Sequence, residues 1–291
     1  MRTPKIHRRY FLMLGGGSWL GATLLTSCRQ EEEAEPEEGV QPAPAAAAEY
    51  GPFQMGFQSY SLREFQELGT FVTQAERLGV EYVEVYSGHL STTASDEEIE
   101  NFKSRLAQAG MQINAFGVEN FTADHEQNRR LFEFGKKLGV RNLSANPTKD
   151  AFDSLDELVR EYDIRIAIHN HGPEDERWRR PEWILEAVKD RDPRIGACVD
   201  TGHYIRAGVN PVEAIQMLGS RVLGVHLKDF NQDMQEVLVG QGQLDLNATL
   251  SSLREVGLEG PLSLEYEDHA DDPVPHMLQE LESVRQVIAG W

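Results

Sequence analysis

From Phe53 onward the chain repeats one pattern eight times: a short apolar run suited to a buried strand, then a longer stretch with helical spacing of apolar residues. Strand-like Phe53 to Tyr60 precedes a helical stretch from Leu62 to Leu78. Tyr82 to Tyr86 precedes Asp96 to Ala109, with Asp96 placed to cap the first turn. Gln112 to Val118 precedes Asp124 to Leu138, and Val140 to Ser144 precedes Asp150 to Tyr162. Strands ending at His169, Asp200, His226 and Glu265 follow. Their helices are expected near Pro181 to Lys189, Pro211 to Leu218, Leu246 to Val256 and Pro275 to Ile288. Gly79, Gly110, Gly139 and Gly257 stand where helices should stop, because glycine accepts the left-handed turn that ends a helix. Alternation of this kind implies a parallel sheet. Eight units within residues 50–291, close to the roughly 250 residues typical of such folds, predict one α/β domain closed as a (β/α)8 barrel. Gly15-Gly16-Gly17 lies ahead of the pattern, so no dinucleotide fingerprint follows the first strand.

Sites on such barrels gather at the C-terminal ends of the strands, so the first polar residues after each apolar run are the informative ones. Arg165-Ile166-Ala167-Ile168 runs into His169-Asn170-His171-Gly172, and Ile195 to Val199 runs into Asp200-Thr201-Gly202-His203. Val222 to Val225 leads to His226-Leu227-Lys228-Asp229, and Pro261 to Leu264 leads to Glu265-Tyr266-Glu267. With Glu84 from the second strand, these residues converge by topology. His169, Asp200, His226 and Glu265 make a mixed nitrogen and oxygen set for one divalent ion: Mn or Zn first, then Co or Fe. The lack of thiolates argues against a structural zinc site. Asn170, His203 and Asp229 are suited to holding the ligands in place. Taken singly each residue has a bland explanation: a histidine at a strand end is usually structural, Glu84 or Glu267 a surface carboxylate, Asp200 a cap for the next turn. Four ligand types at the ends of four strands of one barrel predict a metal centre.

The N-terminus reads differently. Lys5, Arg8 and Arg9 form a charged head, Arg8-Arg9-Tyr10-Phe11-Leu12 resembles a twin-arginine export signal, and Leu25-Thr26-Ser27-Cys28 resembles a lipoprotein cleavage site. The apolar run from Phe11 to Leu25 is too short and glycine-rich for a membrane span. Residues 1–28 are therefore read as an export signal ending at a lipidated Cys28, and the protein as a periplasmic or cell-envelope lipoprotein that meets the membrane only through its lipid. The chain has two cysteines, Cys28 and Cys198, so lipidation of the first leaves no intrachain disulfide. Residues 29–49, rich in Glu, Pro and Ala, read as a disordered acidic linker, and residues 50–291 as the barrel. The signal takes four of the 28 basic residues and no acids, leaving 24 against 48 acidic ones. Such a field repels phosphate backbones and excludes nucleic acid as a partner. A homo-oligomer is compatible with the sequence, which does not specify one.

Glu84 after Tyr82-Val83, the Asp200-x-x-His203 and His226-x-x-Asp229 spacings, and Ser263-Leu264-Glu265 together resemble the xylose-isomerase-like TIM barrels of the sugar phosphate isomerase/epimerase family, across residues 53–289. In that family a glutamate of the fifth strand joins the Asp, His and Glu that match Asp200, His226 and Glu265. Here His169 takes the glutamate's place, and a metal-bound neutral imidazole is a poor proton carrier. The resemblance implies a metal-dependent sugar isomerase or epimerase that removes a proton next to a carbonyl through a metal-stabilised enediolate. It makes Glu265 a ligand and base, with Lys228, His171 and Glu84 as proton donors or hydroxyl contacts and His203 beside the substrate. Histidine-rich fifth strands also resemble family members that eliminate water or an alcohol, so a lyase or dehydratase acting on 3-keto-glycosides or keto-polyols is the alternative. A sugar-binding lipoprotein without catalysis is the second. No basic phosphate cradle is visible, so the expected substrate is a small unphosphorylated sugar or keto-sugar.

Overall fold

A computed structural model describes residues 49–291. The expected export signal and all but the last residue of the expected linker lie outside the described residues. Eight parallel strands close into a barrel: β1 (Gln54–Gln58), β2 (Tyr82–Val85), β3 (Gln112–Phe121), β4 (Asn142–Pro147), β5 (Arg165–His169), β6 (Ile195–Asp200), β7 (Val222–Leu227) and β8 (Pro261–Leu264). Each strand pairs with its sequence neighbours, and β1 closes the ring on β8, with Phe57 opposite Leu264. Helices α1 (Leu68–Glu76), α2 (Asp96–Gln108), α3 (His125–Leu138), α4 (Phe152–Tyr162) and α5 (Pro181–Val188) follow the first five strands. After β6 come a one-turn helix α6 (Thr201–Arg206) and then α7 (Pro211–Leu218); α8 (Leu246–Glu255) and α9 (Val274–Ala289) follow β7 and β8. The alternation read from the sequence is the alternation of the fold.

Strands buried on both faces explain the continuous apolar runs: the last four residues of β5 and all of β6, β7 and β8 are buried. The helices present one apolar stripe to that sheet, as Phe132, Gly135 and Leu138 do in α3. Gly139 ends α3 at φ 87°, its N–H donating to Gly135 O, and Gly79, Gly110 and Gly257 share the positive φ. Local chemistry moves several boundaries. Ser95, not Asp96, caps α2: its hydroxyl accepts from Glu98 N while Glu98 reaches back to Ser95 N, a reciprocal box that Asp96 cannot form. The first helix starts at Leu68, because Glu67 accepts from Gly69 N and Thr70 N and so fixes the entry there; Ser59–Leu62 form a 3-10 turn instead. A small antiparallel ribbon, Asp229–Phe230 with Glu236–Val237, rises after β7. None of the described helices is long and apolar enough to cross a membrane.

Candidate metal centre

The barrel delivers four ligand-type side chains to one point. His169 ends β5, Asp200 ends β6, His226 lies in β7 and Glu265 follows β8. One ligand atom from each lies within 4.8 Å of the others, and all four residues are buried, Glu265 being the most exposed at 7%. The register sets this directly, since Asp200 pairs with His226 across β6 and β7, and Ser263 pairs with His226 across β8 and β7.

Asp200 uses its two oxygens for different purposes. Oδ1 accepts from His203 N at 2.6 Å and so caps α6. Oδ2 has no hydrogen-bond partner and lies 3.5 Å from His169 Nε2 and 3.7 Å from Lys228 Nζ. His226 turns Nδ1 toward Glu265 Oε2 at 3.2 Å and Nε2 toward Glu84 Oε2 at 3.0 Å, the latter off the line of a straight hydrogen bond. Ser263 Oγ donates to the same Glu84 oxygen at 3.0 Å. Glu84 thus stands behind His226, fully buried, where a carboxylate holds the ring of a ligating histidine. It is not among the residues lining the cavity, which corrects the expected substrate contact: Glu84 sits inside a four-residue strand and points into the packed barrel.

Both ring nitrogens of His169, Asp200 Oδ2, His226 Nε2 and Glu84 Oε1 are buried with no hydrogen-bond partner. Leaving such atoms unpaired costs about 1–3 kcal/mol each, and two imidazoles with two carboxylates suit one divalent ion. The residues therefore fit a metal. Electrostatics point the same way. Burial would raise the Glu265 carboxyl, but Lys228 and His226 hold it well below the usual carboxylate range. Burial likewise opposes the Asp200 charge, which His203 and Lys228 restore. Burial depresses the His226 imidazolium, yet Cys198, Glu84 and Glu265 outweigh it and raise the ring well above its ordinary value. Without an ion, the protons on His226 and Lys228 supply the positive charge that these carboxylates demand.

Lys228 is 1% exposed, 3.1 Å from Glu265 Oε2, and paired with Glu267. It reaches this place because Gly202 lets α6 approach: a Cβ there would meet Lys228 Cγ at 2.7 Å. Thr201 Oγ1 completes the seat by accepting from Lys228 N at 2.9 Å. His171 and His203 line the cavity above the centre, their rings 4.7 and 5.7 Å from that of His169. Burial pushes the His203 imidazolium down to about 4, leaving the ring neutral near pH 7. Its Nδ1 lies 3.0 Å from Arg206 Nη1, which can only donate, so Nε2 carries the hydrogen. His171 Nδ1 lies 3.8 Å from Asp175.

Two expectations about supporting residues change. Asp229 accepts from the backbone of Gly240, Gly242, Gln243 and Leu244, so it organises the loop after β7 and not the ion's ligands. Strand alternation explains this, since His226 and Lys228 share one side and residue 229 takes the other. Asn170 ties β5 to β6 through Asp200 N and O, at 2.9 and 3.0 Å. Glu267, read from the sequence as a surface carboxylate, lines the cavity. Its spacing of two from Glu265 was the signal for a shared side.

A model of the xylose isomerase-like TIM barrel family matches residues 72–287. The chain belongs to this family. Among xylose isomerase-like relatives, it is 27% identical over 180 residues to a 3-oxo-isoapionate decarboxylase of Pectobacterium atrosepticum, covering 55% of this chain and 63% of that protein. It is 27% identical over 218 residues to an inosose dehydratase of Geobacillus kaustophilus, covering 66% and 68%. The chain spans 44%, 63% and 57% of the length of the first three curated relatives that it matches. A crystal structure of the IolI protein with a bound zinc atom superposes with a TM-score of 0.64 at 20% identity, over 82% of this chain and 99% of that one. That last likeness is one of fold.

Proposed function

We propose that this barrel is a divalent-metal-dependent sugar isomerase that moves a proton between neighbouring carbons of a small polyhydroxy carbonyl compound. One observation carries the reading: four buried ligand-type side chains converge, those of His169 and Asp200 with ring nitrogens and a carboxylate oxygen that no hydrogen bond uses, and Glu265 alone of the two carboxylates also lines the cavity. His169, Asp200, His226 and Glu265 would hold the ion, which when bound polarises a carbonyl oxygen and stabilises charge developing there. Glu265 takes the proton from the neighbouring carbon, its ionised form secured by Lys228. His203 presents its Nε2–H to a substrate hydroxyl, and His171 lines the same wall. A single base returns the proton on the face from which it came, which is isomerisation between adjacent carbons. Epimerisation by two opposed carboxylates lacks its second one, because His169 occupies the end of β5.

A second reading, elimination of water or an alcohol, is favoured by Lys228 and Glu267, a paired ammonium and carboxylate beside the cavity that can pass a proton to a departing oxygen. The likeness to an inosose dehydratase supports the same branch. Incubating the metal-loaded protein in heavy water with free ketoses and with keto-glycosides separates the readings. Deuterium at the carbon next to the carbonyl without bond cleavage supports isomerisation; aglycone or water release supports elimination. Tight sugar binding with no exchange at carbon would leave only a binding protein. Glu265→Gln should cut turnover about 100 to 10,000-fold; unchanged turnover and metal content would overturn the assignment. We also propose export and lipidation, on the strength of Arg8-Arg9 and Cys28. Cys28→Ala should release the protein from membranes.

A further inference from the structure

His171 and His203 stand side by side on the cavity wall, ring centroids 5.4 Å apart at 39°, yet their Nδ1 atoms face opposite chemistry. His203 Nδ1 meets the Arg206 guanidinium, which can only donate, so the ring's hydrogen sits on Nε2. His171 Nδ1 meets a carboxylate, Asp175 Oδ2 at 3.8 Å, which can only accept and so draws the ring's hydrogen to that nitrogen. Arg206 and Asp175 stand outside the set of residues that line the cavity. Each holds its histidine from behind, which leaves Nε2 on the far side of the ring. The segment after β5 builds both supports. Gly172 admits Arg206, since a Cβ there would meet Arg206 Cζ at 2.9 Å and Glu174 Oε2 at 2.7 Å. Glu174 Oε2 accepts from Arg206 Nη2 at 3.3 Å, and the guanidinium lies 5.8 Å from the Phe230 ring centroid. Asp175 is fixed by its own turn, accepting from Arg177 N at 2.8 Å and Trp178 N at 3.2 Å, with its side chain 8% exposed. One turn thus seats a cation behind one ring and an anion behind the other.

A neutral imidazole offers one hydrogen and accepts one, and these neighbouring rings divide the two roles between them. His171 Nε2 needs a hydroxyl hydrogen. His203 Nε2–H needs an oxygen lone pair, which a hydroxyl or a carbonyl supplies. We propose that Arg206 and Asp175 are positioning residues that fix this division, and that the substrate is an α-hydroxy carbonyl compound whose hydroxyl gives its hydrogen to His171 while a neighbouring oxygen accepts from His203. This rests on the proposed proton transfer next to a carbonyl and adds which hydrogen the site must find. A compound with that hydroxyl capped leaves the His171 lone pair without a partner, a loss that a buried polar group feels in binding.

The test uses full-length, zinc-loaded protein labelled with nitrogen-15 histidine. Two-bond proton–nitrogen correlations at about pH 8, above the ordinary imidazole range, read the tautomers, with His171→Gln and His203→Gln assigning the signals. His203 should carry its hydrogen on Nε2 and His171 on Nδ1. Arg206→Lys should keep the His203 pattern, because an ammonium also only donates. Arg206→Ala should turn His203 into a tautomer mixture, and Asp175→Ala should do the same to His171, both with metal content unchanged. Calorimetric titration with dihydroxyacetone and its di-O-methyl ether then reads recognition. The wild type should favour the hydroxy ketone about 5 to 10-fold, and Asp175→Ala should shrink that preference at least about 2-fold. The same tautomer on both rings, or patterns that survive both alanine variants, overturns the positioning roles and leaves the proposed proton transfer standing. Equal affinity for the two ketones, or a preference that Asp175→Ala leaves intact, overturns the selection of a hydroxyl. Failure of both ketones to bind while the tautomers are as expected overturns the carbonyl reading, and the substrate class with it.

Discussion

Both mouths of the barrel are polar, and they differ in whether their polar groups are finished. At the N-terminal end Gln54 Nε2 donates to Glu259 O at 3.0 Å, Arg165 pairs with Glu259 at 2.9 Å, and Asn142 Nδ2 donates to Leu223 O at 2.6 Å. Gln112 Nε2 closes on Glu81 at 2.7 Å. Asn114 is the exception there, a neutral amide with neither end paired. At the C-terminal end the unpaired atoms include those of His169, Asp200 and His226, three members of one ligand-type cluster, and of Glu84 behind it. The N-terminal cavity, about 390 Å³, is slightly larger than the 350 Å³ cavity over the cluster. Size therefore does not separate a site from a packing gap; unpaired groups that sit within a cluster of ionisable side chains do. One end is nearly completed by folding, and the other keeps unpaired groups for the ion proposed above.

The sharpest way to break this contrast is Asp200→Ala. It removes a ligand atom and the cap of α6 together, so bound metal should fall below stoichiometry by elemental analysis and turnover should drop by at least about 1,000-fold. Because losing an N-cap costs only about 1 kcal/mol, the variant should still fold by circular dichroism. Full metal occupancy in it would mean that the cluster is not the binding site.

Adding metal should also raise the melting temperature of the wild type. An ion at 100 times its dissociation constant stabilises the fold by about 2.7 kcal/mol, and Asp200→Ala should lose that response. A wild-type midpoint indifferent to Mn, Zn, Co and Fe would remove the distinction between the two ends. Glu84→Gln is a finer probe, since the amide keeps the shape but weakens the hold on His226. A 10 to 100-fold loss of metal affinity is expected, recovered at high metal with near-normal turnover. A loss of turnover that metal does not restore would return Glu84 to the substrate's side.

Much of this was legible because the chemistry follows the strand pattern. Each apolar run ended within a residue or two of a ligand, and strand closure did the rest, so His169, Asp200, His226 and Glu265 could be named without coordinates. What escaped depends on contacts distant in sequence. The place of Glu84 is set by Ser263, 179 residues away, and nothing near Glu84 marks it as a support for an imidazole. Asp229 looked like a member of the His226-x-x-Asp229 spacing, yet its backbone donors lie 11 to 15 residues onward, in a loop without periodicity. The cap at Ser95 was local and readable; the serine and Glu98 spell the capping box, and Asp96 was the weaker choice.

At the finished end the expected response is purely structural. Asn142→Ala strands the Leu223 carbonyl and should cost about 1–2 kcal/mol in chemical denaturation, with metal content and kcat/KM unchanged. A change in metal affinity from that mutation would couple the two ends and erase the contrast.

His89 tests the rule from the other side. It follows β2 near the C-terminal end, and both its ring nitrogens are buried without a hydrogen-bond partner, yet no carboxylate accompanies it; it stacks on Phe71 with centroids 4.1 Å apart. Unpaired nitrogen alone should not make a metal site, so His89→Phe should leave metal stoichiometry unchanged. The ring should reveal itself through pH instead. Burial pushes its imidazolium down to about 4, against the weaker pull of the nearby Leu62 and Phe65 carbonyls. Between that value and the ordinary 6.5 the unfolded chain binds the extra proton and the native chain does not, so stability rises with pH across the window and is lost as pH falls through it. The loss at pH 5.5 relative to pH 7.5 should be about 1 kcal/mol. Comparing denaturation of wild type and His89→Phe at those two pH values isolates it, because the other acid-sensitive groups are common to both. If the difference between the two proteins does not shrink by about that amount on acidification, His89 is already charged in the fold and has found a partner.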